Sequence, residues 1–248
     1  MLQVVGLTKD YRKFRAVDQL SFSVNPGEIV GLLGPNGAGK TSTLRCIAGI
    51  LRPTSGEIYI NNFNLVADYQ AAKRGLSFVP ELPSLYELLT VTEHLRFMAM
   101  CFDSLEVFDQ HGEELLRRYE LWDKKDVLVA TLSKGMRQKL SVACAMVHRA
   151  NVLIFDEPII GVDPQGVAEI KRDLQHAKES GCSILISTHV LDSAEKLCDR
   201  MVILRKGQMI ANGTVEELRE KASMAGADLE TLFLKITENS NFESPSVS

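Results

Sequence analysis

Apolar positions open the chain in short runs. VVGLTK (4–9), LSFSV (20–24) and EIVGLL (28–33) alternate or stay continuously apolar, which predicts β-strands, and Asn25-Pro26-Gly27 supplies a turn between the last pair. TSTLRCIAGIL (41–51) instead spaces its apolar residues for a helix. Pro53, Ser55 and Gly56 are expected to end it, and GEIYI (56–60) reads as another strand. From about residue 90 to 150 the pattern changes: EHLRFMAMCF (93–102), GEELLRRYELW (112–122) and KGMRQKLSVACAMVH (134–148) are amphipathic at helical spacing, with almost no Pro or β-branched clusters. This stretch predicts a helical lobe inserted into the core. Strand signals resume at NVLIFDEP (151–158), CSILIST (182–188) and RMVILRKGQMIANG (200–213), alternating with helical patterns at AEIKRDLQHAKES (168–180) and VLDSAEKLC (190–198). The expected fold class is α/β: a mixed, largely parallel sheet covered on both faces, an N-terminal antiparallel β subdomain and the inserted α-helical lobe. One domain is expected over 1–236, followed by a polar, disordered tail at 237–248.

The chain has 248 residues, 45% of them hydrophobic, enough for one sizeable core. Lys and Arg number 28 against 32 Asp and Glu, a net charge of −4. That balance gives no basic footprint for nucleic acid and argues against free-standing adhesion to an anionic membrane. The longest apolar runs fall far short of the roughly 20 residues that span a bilayer. The opening MLQVVGLTKDYRKF lacks the apolar stretch and cleavage site of a secretory signal. The five cysteines are scattered without CxxC spacing, as expected of reduced thiols in a soluble intracellular protein.

The sharpest chemical feature is Gly34-Pro35-Asn36-Gly37-Ala38-Gly39-Lys40-Thr41, which fits G-x-x-x-x-G-K-[ST] between an apolar strand and a helix. The pattern points to a P-loop NTPase core. Its glycines let successive N–H groups turn inward around phosphate oxygens, and the following helix adds its positive N-terminus. Asn36, Gly37, Ala38, Gly39, Lys40, Thr41 and Ser42 are the expected nucleotide contacts. Lys40 would reach the β- and γ-phosphates of ATP, and the Thr41 hydroxyl would ligate Mg²⁺. Asp156 and Glu157 end a buried-strand run at the sheet edge where such folds bind ligands. Asp156 is expected to hold Mg²⁺ through water and Glu157 to act as general base. His189, at the end of another strand, is placed to contact the γ-phosphate.

With these, the chain resembles the ATP-binding cassette of ABC transporters up to about residue 234. Leu132-Ser133-Lys134-Gly135-Met136 resembles the signature segment of that family, Gly161-Val162-Asp163-Pro164 its D-loop, and Ser187-Thr188-His189 its switch-histidine segment. The resemblance implies that Tyr11 stacks on adenine and that Glu81 stands at the Q-loop position, as a metal-side and coupling residue. It implies further that Ser133 and Gly135 contact ATP in trans, from a second cassette in a homodimer or heterodimer. Ser133 also reads as an N-cap for the helix that follows. A separate integral-membrane permease is the implied partner, holding the cassette at the cytoplasmic face of the membrane, with the helical lobe and the Glu81 loop as docking surface.

Three departures from the family pattern stand out: Glu81 in place of Gln, Lys134 and Met136 in the signature, and Ile159 and Ile160 before the D-loop. The SKGM signature and the helical stretch after Gly213 resemble bacterial export-type cassettes. The alternatives are a soluble ABC-type ATPase acting on ribosomes or nucleic acid, and a small-molecule kinase whose signature match is accidental.

Overall fold

The computed structural model describes residues 1–238; most of the expected polar tail lies outside the described residues. β1 (Leu2–Tyr11) and β2 (Phe14–Val24) form an antiparallel hairpin with Leu2 opposite Val24 and Tyr11 opposite Phe14. β3 (Glu28–Leu33) then enters a second sheet and runs into α1 (Lys40–Ile47). β4 (Ser55–Ile60) and β5 (Phe63–Asn64) return to the first sheet, whose order is β2-β1-β4-β5.

After α2 (Tyr69–Arg74) and β6 (Leu76–Val79) come the helices of the lobe: α3 (Val91–Cys101), α4 (Leu105–Arg118) and α5 (Lys134–Val147). β7 (Val152–Asp156), α6 (Pro164–Glu179), β8 (Ser183–Ser187), α7 (Leu191–Leu197), β9 (Arg200–Arg205) and β10 (Gln208–Gly213) complete the second sheet and its cover, and α8 (Val215–Lys221) and α9 (Leu229–Glu238) close the described chain. The second sheet has the order β10-β9-β3-β8-β7-β6, parallel except for the β9–β10 hairpin.

Period-two alternation explains how this sheet is buried on both faces. Ile29, Leu33, Leu153, Phe155, Ile184 and Ile186 point into one apolar cluster, together with the lobe, α6 and the C-terminal helices. Val30, Leu32, Val152, Ile154 and Leu185 point into the other, against α1 and the N-terminal sheet. The lobe is tied to the core by polar contacts. Tyr119 Oη donates to buried Asp173 at 2.6 Å, Arg118 pairs with the same carboxylate, and His148 Nε2 meets the Arg74 carbonyl at 3.0 Å.

Some elements depart from the sequence expectation. α1 stops at Ile47 rather than near residue 51, because Gly49 takes φ +69° and the N–H of Ile50 folds back to the Arg45 carbonyl. α4 begins at Leu105, before the expected 112. β6 and α2 had no sequence signal: four strand residues and six helical ones are too few to establish a period.

Candidate functional site

The loop between β3 and α1 packs so tightly that glycine is required at its ends. A Cβ on Gly34 would stand 2.5 Å from the Leu204 carbonyl oxygen, and one on Gly39 would stand 2.4 Å from that of Ala16, with φ at +105°. These approaches seat the loop against the ends of β9 and β2. α1 then begins with Gly39 as N-cap and no side-chain cap, so its orphan first-turn N–H groups remain for an anion. Lys40 Nζ folds over the loop and donates to the carbonyls of Gly34 at 2.6 Å and Pro35 at 3.2 Å. Burial lowers the Lys40 pKa, opposed by the negative charges of Glu157, Asp156 and Glu81.

Parallel pairing of β7 and β8 brings Asp156 level with Ser187, whose hydroxyl donates to the Asp156 carboxylate. Asp156 is only 3% exposed. The next residue leaves the strand sharply. Glu157 takes φ +51°, its N–H bonds the Ser187 carbonyl at 3.0 Å, and its side chain turns toward His189. His189 Nδ1 lies 2.9 Å from Glu157 Oε1, and the His189 N–H donates to Oε2 at 3.3 Å. Lys40, Asp156, Glu157 and His189 line a cleft of about 390 Å³ that also takes in Glu81, Ile160 and Phe14.

Residues 17–160 match the family model described as ABC transporter. The chain is 37% identical over 239 residues to the ABC-type transporter ATP-binding protein EcsA of Bacillus subtilis (strain 168), covering 96% of this chain and 97% of that one. It is 35% identical to the lipopolysaccharide export system ATP-binding protein LptB of Escherichia coli (strain K12), covering 88% and 92%. A solved structure described as the ATP binding subunit of an ABC transporter superposes with a TM-score of 0.92 at 36% identity, over 95% of this chain and 99% of that one. The chain belongs to the ABC transporter ATP-binding family.

As an ABC cassette it is an ATPase of the kind that drives transport. The cleft gathers Asn36, Gly37, Ala38, Gly39, Lys40, Thr41 and Ser42 with Glu81, Asp156, Glu157 and His189. Of the other expected contacts, Tyr11 stands at the edge of the cleft, and Ser133 and Gly135 stand off it. Tyr11 is not in the lining: its hydroxyl lies 3.3 Å from Ser42 Oγ, while Phe14, its cross-strand neighbour, reaches the cleft.

Ser133 and Gly135 lie outside the cleft. Ser133 caps α5, its Oγ accepting from the Met136 N–H at 3.3 Å, and Gly135 packs beneath the Gly161 carbonyl, where a Cβ would come within 2.5 Å. Sequence reasoning missed Ser187 as the partner of Asp156. It also missed Lys139, which is 5% exposed and bridges Glu120 at 2.7 Å and Asp163 at 2.6 Å, fastening the signature helix to the D-loop.

The side-chain oxygen donors that the cleft offers a divalent cation are the hydroxyls of Thr41 and Ser42 and the carboxylates of Glu81, Asp156 and Glu157. Hard oxygen donors suit Mg²⁺, and no cluster among the described residues cages a metal alone. The donor set therefore fits a Mg²⁺ that also takes water and phosphate oxygens as ligands.

Proposed function

We propose that this chain hydrolyses ATP between two cassettes and transmits the resulting movement to a separate integral-membrane permease at the cytoplasmic face, as an exporter. The observation that carries the hydrolytic reading is the Glu157–His189 contact of 2.9 Å at the mouth of the Lys40 cleft. Glu157 is the acceptor for the proton of the attacking water, and His189 orients it while facing the γ-phosphate. Lys40 exchanges its two loop carbonyls for β- and γ-phosphate oxygens. Thr41, Asp156 through water, and Glu81 would hold a Mg²⁺ there, which would supply charge neutralisation on the phosphates.

The dimer follows from the distribution of parts. One chain carries one phosphate loop and one signature, and Ser133 and Gly135 lie off their own cleft, so a second copy or a related cassette completes the site. Permease docking is supported by the strip after Glu81, where Leu82 is 69% and Leu88 86% exposed. Glu87 in the same strip pairs with Arg137 of the signature helix at 2.7 Å, a mechanical link from docking surface to active site. No helix among the described residues is long and apolar enough to cross a membrane. Likeness to the LptB export protein favours outward transport.

The test is a pair of variants. Glu157→Gln is expected to lower turnover by about 10²–10⁴-fold while ATP still binds, and Lys40→Ala to lose ATP in a nucleotide titration. Normal turnover in Glu157→Gln overturns the assignment of the base.

A further inference from the structure

The two helices that close the described chain reach back to the hydrolytic cleft. α9 buries Leu229, Leu232 and Ile236 completely. Its Phe233 helps wall a recess of about 250 Å³ shared with Pro35, Asn36, Thr188, His189 and Leu191. A second connection runs through α7, the short helix that follows His189. Glu195 on α7 has both carboxylate oxygens taken by the C-terminal pair: Arg219 Nη2 donates to Oε1 at 2.6 Å, and the Leu229 N–H donates to Oε2 at 3.2 Å. Arg219 is itself held by the Ala227 carbonyl at 2.7 Å and by Glu216 at 3.1 Å.

This external hold matters because the switch segment has little of its own. α7 has seven residues and no side-chain cap, too short to be stable without tertiary contacts. The His189 side chain is 62% exposed, so close packing does not orient its ring. Its direction is set by Glu157 and by the backbone of 188–191, where Thr188 Oγ1 accepts from the Val190 N–H at 3.0 Å.

We propose that Phe233 and Arg219 are positioning residues for ATP hydrolysis: α8 and α9 form an outer wall of the site and hold the 188–191 segment so that His189 meets Glu157. The proposal rests on the reading of Glu157 and His189 as the hydrolytic pair. Small displacements of a positioned group cost rate more than affinity, because the nucleotide is bound mainly by the phosphate loop.

The experiment uses the full chain, measuring kcat at saturating Mg-ATP and the dissociation constant for ATP in Phe233→Ala, Phe233→Leu, Arg219→Gln and His189→Ala. Phe233→Ala is expected to lower kcat about tenfold or more with affinity unchanged within about twofold, and Phe233→Leu to restore most of the rate. Arg219→Gln lowers kcat in the same way, and adding Glu195→Gln to it lowers kcat little further, since the Arg219–Glu195 contact is already lost and the glutamine oxygen can still accept from the Leu229 N–H. Should Phe233→Ala fail to fold, Arg219→Gln decides alone. Wild-type kcat in the Phe233 and Arg219 variants, beside a lost rate in His189→Ala, overturns the inference and leaves the hydrolytic reading standing. Equal losses of rate and affinity also overturn it, as does a leucine variant no better than alanine. Wild-type kcat in His189→Ala removes both.

Discussion

Gly37 and Gly39 sit two residues apart in the phosphate loop and both take positive φ, at +79° and +105°, yet they face different surroundings. A Cβ on Gly37 meets nothing within 4 Å, whereas one on Gly39 meets the Ala16 carbonyl oxygen at 2.4 Å. Gly37→Ala therefore carries only backbone strain, about 1 kcal/mol, while Gly39→Ala adds a collision with backbone that has no room to yield. The expected loss for Gly39→Ala is about 3 kcal/mol or more. Urea midpoints for the two variants check the difference, and equal losses would show that conformation alone governs the loop. Contiguity along the chain decides which of the site residues are legible in the sequence. The loop and the adjacent acids Asp156 and Glu157 each form an unbroken run, so their chemistry is written in consecutive letters. Ser187 beside Asp156, and Phe14 at the cleft opposite Tyr11, depend on which strands pair and in what register, and no local pattern encodes that.

At the level of elements, long periodic segments were legible and short ones were not. α6, with 16 residues, presents an apolar face to the core, and α5, with 14, is long enough to read as a helix although 138–145 are buried on every side, whereas the four residues of β6 owe their place to the parallel strand β7 beside them. How elements are joined was equally hidden, and His148 is the clearest case. It ends α5, stacks on Phe102 with ring centroids 3.7 Å apart, and donates from Nε2 to the Arg74 carbonyl. Burial lowers its pKa from 6.5 to about 4, with the Arg74 hydrogen bond opposing and the Lys73 charge adding a further decrease. The unfolded chain consequently takes up a proton between about pH 6.5 and 4 that the folded chain refuses, so stability falls as pH falls through that window. The full effect of this one group is about 3 kcal/mol. His148→Gln keeps a donor for Arg74 and removes the titration. Its urea midpoint is expected to fall less than that of the unmodified chain between pH 6.5 and 4; identical slopes would place the acid sensitivity elsewhere.

For the molecule as a whole, the residues proposed to form one hydrolytic site are divided between two surfaces. Lys40, Asp156, Glu157 and His189 share one cleft, while Ser133 and Gly135 stand outside it at the start of α5. The Lys139–Asp163 ion pair ties α5 to the D-loop at the start of α6. On the two-cassette reading proposed above, a lone copy would bind ATP through its phosphate loop and lack the Ser133–Gly135 surface that completes the site. Turnover should rise with protein concentration until a second copy is always present, and slowing hydrolysis should lengthen the life of the closed pair. Glu157→Gln in saturating Mg-ATP is therefore expected to run as a dimer in light scattering, and adding Ser133→Ala to weaken that dimer by removing an α5 cap at the shared surface. A strictly monomeric Glu157→Gln whose parent hydrolyses ATP at a rate independent of dilution would rule out a self-paired site. If turnover instead appears only when a related cassette is added, the second half of the site belongs to that chain.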